Sequence, residues 1–412
     1  VGALDAQRTD FSIASVASTA TAAPVPFPPT PDSDPFYAQP SPFPKLAPGT
    51  ILASRSVTYA PVGGVAMSNA AWELKFVSRD SRNRDIAAVA TVVKPTTPVA
   101  SGPEPLLSVQ YAEDGLGSQC APSHAVTGST ADSNEQLEAA FPQLGLKQGW
   151  TLVYPDFEGP ESAYASSRIG GQITLDGIKA AESFAPLGLS VKTPVGLTGY
   201  SGGATATAWA ATLERTYAPA LDIVAIASGG TPADYEQILS NIDTNVLSNT
   251  AFFAEILSAV VGVNRSYPAL FTPVANAKGV AAATSLANGC VGNTSNGAAA
   301  PTGQLTDYAT KNFFTPPDDH VLPINDLPQS GSSPVANTFV YHSQVDELIP
   351  IAGTDAMVAA WCADGAPIQY YRGVSGDHVA FEPAMVASVY AYLTSRFAGT
   401  PTVLPPGTTT CT

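Results

Sequence analysis

The sequence predicts an α/β fold: a mostly parallel central sheet with helices on both faces, interrupted by an inserted helical segment. Three observations predict it. Short apolar strands alternate with helical stretches from about residue 71 to residue 227, the rhythm of crossovers in a parallel sheet. From about Gly230 to Asp326 the rhythm gives way to helical spacing broken by Gly/Asn-rich loops, and strands resume at Thr338. The composition suits one large core, with 45% hydrophobic and only 13% charged residues over 412 positions, against a usual charged share of roughly 25%.

Residues 1–33 are rich in Ala, Ser, Thr and Pro, and ten prolines fall between positions 24 and 48. A disordered or extended arm outside the core is expected there, with order beginning at Asp34-Pro35-Phe36-Tyr37. Ala71–Val77 alternates like a strand, Asp85–Lys94 is a second one stopped by Pro95, and Leu106–Tyr111 is a third, running into the loop Ala112-Glu113-Asp114-Gly115. Glu135–Lys147 has helical spacing, Trp150–Tyr154 is a strand and Gly171–Phe184 a helix. Pro194–Thr198 is a strand that turns into the Ala-rich helix Ala204–Thr216, and Ile223–Ala227 is the next strand. Inside the insertion, Asp234–Leu239, Thr250–Val261 and Ala275–Leu286 read as helices. Strand Thr338–His342, helix Ala352–Cys362, strand Ile368–Arg372 and helix Ala380–Phe397 close the chain. The expected organisation is therefore an arm (1–33), a first core segment (34–229), a helical cap or lid (230–326) and a second core segment (327–412).

With 34 acidic and 18 basic residues the net charge is −16, which argues against a nucleic-acid partner, since phosphates call for clustered Lys and Arg. No apolar run reaches the roughly 18–20 residues of a membrane helix. The chain opens without a signal peptide, so we expect it to be already processed. Its four cysteines, Cys120, Cys290, Cys362 and Cys411, contain no zinc-type C-x2-C pair. They allow three pairings, or four unpaired thiols. The economical choice is Cys120–Cys290 with Cys362–Cys411, the latter tying down a Thr/Pro-rich tail, and it points to an oxidising, extracellular compartment. Asn264 and Asn293 are N-x-S/T sequons compatible with secretion.

Gly199-Tyr200-Ser201-Gly202-Gly203 follows an apolar strand and opens a helix of small residues. That is the setting of a nucleophile elbow, in which a tight turn lifts a serine hydroxyl above the sheet. Glycines flank Ser201 because bulkier neighbours would clash where strand meets helix. The Gly202 N–H, at a helix N-terminus, is aimed to meet an oxyanion.

A serine hydroxyl needs a base to become nucleophilic. Of four histidines, His378 lies in a loop between the last strand and last helix, where the hydrolase order Ser, acid, His places the base. His342 ends a strand and reads equally as a core histidine; His124 and His320 lie in loops. The acid should follow a strand between Ser201 and His378. Asp346 does; Glu347 beside it is the alternative, while Asp364 and Asp377 are less well placed. A second oxyanion donor should come from an earlier strand-end loop, and Ala112–Gly117 qualifies. Asp114 there could donate through its backbone N–H or a protonated side chain, or be only a turn residue before Gly115. Asp318-Asp319-His320 could hold a metal but reads more simply as a solvated turn, and no cofactor motif is present.

These residues, taken together, resemble the secretory lipase family of fungi and actinobacteria, the Candida antarctica lipase A type. The landmarks are Pro48 to Arg55, Tyr111 to Pro122 with Asp114 and Cys120, Asp156-Phe157-Glu158-Gly159, Leu175-Asp176-Gly177-Ile178, Gly199 to Gly203, Asp346 to Pro350 and Gly376-Asp377-His378. The resemblance runs from about Asp34 to the last helix but leaves 240–326 unmatched. It implies an α/β-hydrolase fold with a helical cap, a Ser201–Asp346–His378 triad and an oxyanion hole from Gly202 and Asp114, with Tyr200 lining the pocket. It implies hydrolysis of carboxylic esters, triacylglycerols included.

The leading expectation is thus a secreted, monomeric serine esterase or lipase that needs no metal or organic cofactor and meets a small-molecule or lipid ester, at a lipid–water interface where the substrate is a lipid. Acyl transfer to an alcohol uses the same residues. A catalytically silent extracellular binding module and a peptidase are further readings of the same fold and triad.

Overall fold

Where apolar side chains alternate most strongly, the chain forms strands of one sheet. The computed structural model describes residues 25–99, 102–129, 138–244, 247–248, 250–291, 300–311 and 321–411. Ten strands are found among them: β1 (Ile51–Thr58), β2 (Ala70–Arg79), β3 (Asp85–Val93), β4 (Leu106–Gln110), β5 (Thr151–Pro155), β6 (Val195–Tyr200), β7 (Ile223–Gly229), β8 (Thr338–Ser343), β9 (Ile368–Gly373) and β10 (Thr409–Cys411). Their order is β1-β2-β3-β5-β4-β6-β7-β8-β9-β10. Neighbours from β5 through β9 run parallel. The strands β1, β2 and β3 form an antiparallel meander joined antiparallel to β5, and β10 returns antiparallel to β9.

The pleat sends successive side chains to opposite faces. Leu106 packs into the layer with Leu74, Phe76 and Leu197, while Leu107 joins Val109, Tyr200 and Phe339 on the other side. Helices α1 (Pro122–Val126), α2 (Gln143–Lys147), α3 (Ser167–Ser183) and α4 (Ser201–Tyr217) follow in the first half of the chain. Apolar residues of α3 and α4, Ile173, Ile178 and Ala210 among them, cover the Leu106 face. The other face is covered by α1 and by the last helix, α10 (His378–Phe397), through Met385, Val389 and Leu393.

Between the adjacent strands β7 and β8 the chain leaves the sheet through α5 (Tyr235–Ile242), α6 (Ala251–Ser266), α7 (Ala277–Leu286) and α8 (Leu322–Asn325), then returns; α9 (Ile351–Ala363) links β8 to β9. The insertion has its own apolar cluster, including Phe253, Leu257, Phe271 and Leu286, which reaches Leu116, Leu348 and Ile349 of the core loops.

Several details depart from the sequence expectation. Within the described part the predicted helix Glu135–Lys147 is interrupted: Glu138 is helical, 139–142 form a turn and Gln143–Lys147 is helical again; Pro142, without an N–H, sits at the boundary. The first strand, β1, escaped notice because none of its residues is fully buried, so the alternating signal is faint. The tail strand β10 is held by the Cys362–Cys411 disulfide, and Cys120–Cys290 is the second bridge. The described end of the arm is extended but not free of the body: Phe27 packs on the insertion's cluster, and its carbonyl accepts from Arg265 Nε at 2.9 Å. Asn264 is fully buried, donating to Thr272 Oγ1 and accepting from the Phe271 and Thr272 N–H groups. It is closed to glycosylation in the folded protein. Residues 1–24, Asn293 and Asp318-Asp319-His320 lie outside the described residues. Among the described residues no helix is long and apolar enough to cross a membrane.

Candidate active site

Strand β6 delivers Tyr200 to the sheet edge and the chain turns at once into α4, with Ser201 at φ 51°. A non-glycine residue in that region is strained, and such strain collects at functional turns. The neighbouring glycines make the turn fit: a Cβ on Gly203 would lie 1.9 Å from the Gln110 carbonyl oxygen of β4, and one on Gly199 2.7 Å from the same atom. The α4 start has no side-chain cap, so its first N–H groups lack an intrahelical partner.

Ser201 Oγ stands 2.7 Å from His378 Nε2, and His378 Nδ1 stands 2.7 Å from Asp346 Oδ2. His378 opens α10, whose start is capped by Asp377 accepting from the Ala380 N–H; this is Asp377's role. Asp346 follows β8, and its Oδ1 accepts from the Leu348 and Ile349 N–H groups at 3.0 and 2.7 Å. With Asp346 accepting from Nδ1–H, the tautomer leaves Nε2 free to accept the serine proton. Burial alone would raise the Asp346 pKa, but hydrogen bonds and charge from His342 and His378 hold it well below the usual carboxylate range. Burial likewise pushes the His378 imidazole down; the Asp346 hydrogen bond and charge, with Glu255 and Glu347, outweigh it and hold it above its ordinary value.

Asp114 sits on its loop at φ 42°, buried, with Oδ1 against Gly202 and without a hydrogen-bond partner. Burial, then the charge of Glu255, pushes its pKa well above the normal value, which favours the neutral form that can donate. The Cys120–Cys290 bridge lies just past this loop, and the Leu116 N–H donates to the Gly289 carbonyl beside it at 2.8 Å.

Ser201 and Gly202 open onto a largely apolar cavity. Ile238, Leu239, Ile256, Val260 and Ile349 are among its lining residues. Tyr200 is not among the residues lining this cavity. The strand's alternation turns its ring to the opposite side, where its hydroxyl donates to the His378 carbonyl at 2.7 Å and braces the histidine loop.

Sequence reasoning missed three contributors. His342, read as a core histidine at a strand end, touches the acid: its Nε2 is 3.1 Å from Asp346 Oδ2. Glu347, read as an alternative acid, instead accepts from the His378 backbone N–H at 2.9 Å. Glu255 projects from α6 into the Ser201 cavity; the available signal was a lone charge in the apolar run Ala251–Val263. Two other candidates sit elsewhere. His124 bonds Asp32 at 2.7 Å and stacks on Tyr37, and Asp364 ends α9.

Comparisons with known proteins bear on the family and the fold. The family model of secretory lipases matches residues 126–404. The chain is 31% identical to a protein of Mycobacterium tuberculosis named as a probable inactive lipase, over 90% of this chain and 83% of that one. It is 30% identical to the secreted triacylglycerol lipase LIP2 of Malassezia furfur, over 90% and 80%. Candida antarctica lipase A, solved in its closed state, superposes with a TM-score of 0.80 at 27% identity, covering 93% of this chain and 89% of that one. The rice cell wall degrading esterase LipA of Xanthomonas oryzae, at 20% identity and a TM-score of 0.60, covering 86% and 97%, shares the fold. With its central sheet, its helices and its family match over most of the length, the chain belongs to the secretory lipase family.

Proposed function

We propose that the protein is a secreted carboxylic ester hydrolase working through an acyl-enzyme on Ser201. The observation that carries this is the unbroken Ser201–His378–Asp346 contact series opening onto an apolar cavity. His378 Nε2 takes the Ser201 proton as Oγ attacks the ester carbonyl carbon. The oxyanion receives hydrogen bonds from the Gly202 N–H and from the loop of Asp114. As the tetrahedral species collapses, the C–O bond to the alcohol breaks and His378 returns its proton to the departing oxygen. Water, deprotonated by His378, then attacks the acyl-enzyme and frees the acid. Long-chain acyl esters, triacylglycerols among them, suit the apolar lining, and the insertion would act as a lid over it. The two disulfides and relatives named as secreted support an extracellular setting.

A relative named as a probable inactive lipase favours the silent-module reading, whereas this chain keeps the nucleophile and the histidine in hydrogen-bond contact. A fluorophosphonate probe separates the two. Labelling of the wild type that is lost in Ser201→Ala, together with loss of ester cleavage, is the expected result; an unlabelled wild type or an active Ser201→Ala would sink the proposal. Product analysis in mixed water and alcohol decides between hydrolysis and acyl transfer.

A further inference from the structure

Glu255 supplies the carboxyl among the residues lining the cavity in front of Ser201. It comes from the middle of α6, between Phe252-Phe253-Ala254 and Ile256-Leu257. The side chain is 7% exposed, and it makes no hydrogen bond or ion pair with any other described residue. The cavity wall around it is mostly apolar, with Ile238, Leu239 and Ile256 among its residues; of its hydroxyls, Ser201 faces His378 and Tyr235 donates to the Ala165 carbonyl, while Tyr164 and Thr205 complete the polar part of the lining. A carboxyl set in an apolar cavity wall loses most of the hydration it had in the unfolded chain, and what reaches it must come through the cavity. A leucine would suit a plain alkyl chain better. Because Glu255 shares its cavity with Ser201 and Gly202, a donor carried by a bound ester can reach the carboxyl.

The place of that donor follows from what shares the cavity. Ser201 and Gly202 line the same cavity as Glu255, so the donor belongs to the part of the ester near the scissile carbonyl. Its kind follows from the lining. An ammonium group would be stranded in this apolar surrounding, whereas a hydroxyl enters at small cost and needs one acceptor. We propose that Glu255 accepts a hydrogen bond from a free hydroxyl on the ester, next to the reacting bond, and makes the enzyme selective for hydroxylated esters over their all-alkyl counterparts. The hydroxyl sits either on the alcohol part, as in a partial glyceride, or on the acyl part, as in a hydroxy acid. The proposal rests on Ser201 being the nucleophile.

The test compares kcat/KM for two matched pairs with the full chain: a glycerol monoester against the propyl ester of the same acid, and a 3-hydroxyacyl methyl ester against its unsubstituted analogue. The wild type is expected to favour the hydroxylated member of one pair at least tenfold, the pair identifying the source. Glu255→Leu should lower that ratio at least fivefold, and Glu255→Gln, whose amide oxygen still accepts, should restore it. If Glu255→Leu does not fold, Glu255→Val is read in its place. A smaller wild-type preference in both pairs, a smaller drop on removing the carboxyl, or no restoration by glutamine overturns the assignment. Fluorophosphonate labelling is read alongside. A labelled enzyme without hydroxyl preference removes the Glu255 proposal alone, and an unlabelled one removes the Ser201 reading.

Discussion

The Asp114 carboxyl lies so close to Gly202 that a Cβ added to Gly202 would stand 1.7 Å from Asp114 Oδ1. The contact places a carboxyl whose pKa is raised by burial beside the N–H that follows the nucleophile. Gly202→Ala must therefore push Asp114 away and open the oxyanion site. We expect it to lower kcat/KM on a p-nitrophenyl ester by about 10²–10³, the loss typical of one oxyanion donor. Asp114→Ala should lose a similar amount, and Asp114→Asn, which keeps a donor, distinctly less. Equal losses in the two Asp114 variants would show that its side chain does not donate.

The activity should fall on the acid side through the titration of His378. The imidazole must be neutral to take the Ser201 proton, and its pKa is held above the ordinary 6.5. The acid limb of kcat/KM against pH is thus expected above pH 6.5. Glu347 contributes to that upward shift, so Glu347→Gln should move the limb to lower pH while keeping an acceptor for the His378 N–H. An unmoved limb rules out Glu347 as a tuning charge.

Asp346 serves two histidines, with His342 Nε2 at 3.1 Å and His378 Nδ1 at 2.7 Å from the same oxygen. Its folded pKa lies below the unfolded value of about 3.8. Its contribution to stability is therefore present above that value and lost as pH falls through the lower folded pKa. His342→Leu removes one of the interactions that lower it. We expect the folded pKa to rise and acid unfolding to begin at higher pH, with a loss of about 1.5–3 kcal/mol at neutral pH, read by denaturant titration at several pH values. A pH-independent loss would assign His342 to packing alone.

What could be read from the sequence is what local chemistry imposes. The elbow was legible because Gly199 and Gly203 meet the Gln110 carbonyl at distances no Cβ allows. Asp346 and His378 were legible because each follows a strand in a fixed chain order. The rest depends on distant segments. His342 looked like any strand-end histidine until the acid loop folded back onto it. Asn264 matched a glycosylation sequon, yet it spends its amide on the turn at Phe271 and Thr272. Tyr200 donates its hydroxyl to the His378 carbonyl, 178 residues away, a contact no local pattern announces. Phe27, in a segment whose composition reads as a free arm, finds its place only through Phe271 and Arg265 of the insertion.

The two disulfides should matter differently. Cys120–Cys290 closes a separation of 170 residues and joins the region after Asp114 to the insertion, whereas Cys362–Cys411 closes 49 and fastens the tail strand to α9. Removing either should cost about 2–4 kcal/mol by loop-closure entropy. Only the first is expected to lower kcat as well, because Leu116 and Gly289 lose their anchor. Double Cys→Ala variants of each pair, compared by denaturation and by turnover, check this. A tail-pair variant as impaired in kcat as the other contradicts it.

Arg265 is a buried guanidinium whose hydrogen bonds go to carbonyl oxygens of four segments. It donates to Phe27 of the arm, Leu116 of the Asp114 loop, Glu161 and Ser162, and Ala287 after α7, at 2.7 to 2.9 Å. Burial lowers its pKa to about 10, with Glu158 and Glu161 opposing that shift, so it remains charged at neutral pH. The planar fork can serve several acceptors at once, which a lysine ammonium on a single stem cannot match. Arg265→Met leaves the carbonyls without a donor and is expected to cost about 3–5 kcal/mol. Arg265→Lys keeps the charge and should fold, but with part of the carbonyl set unserved. Leu116 lies two residues from Asp114, so the lysine variant should show a lower kcat with little change in KM. A lysine variant with wild-type kcat would limit Arg265 to holding the arm and insertion together, with no hand in placing the oxyanion loop.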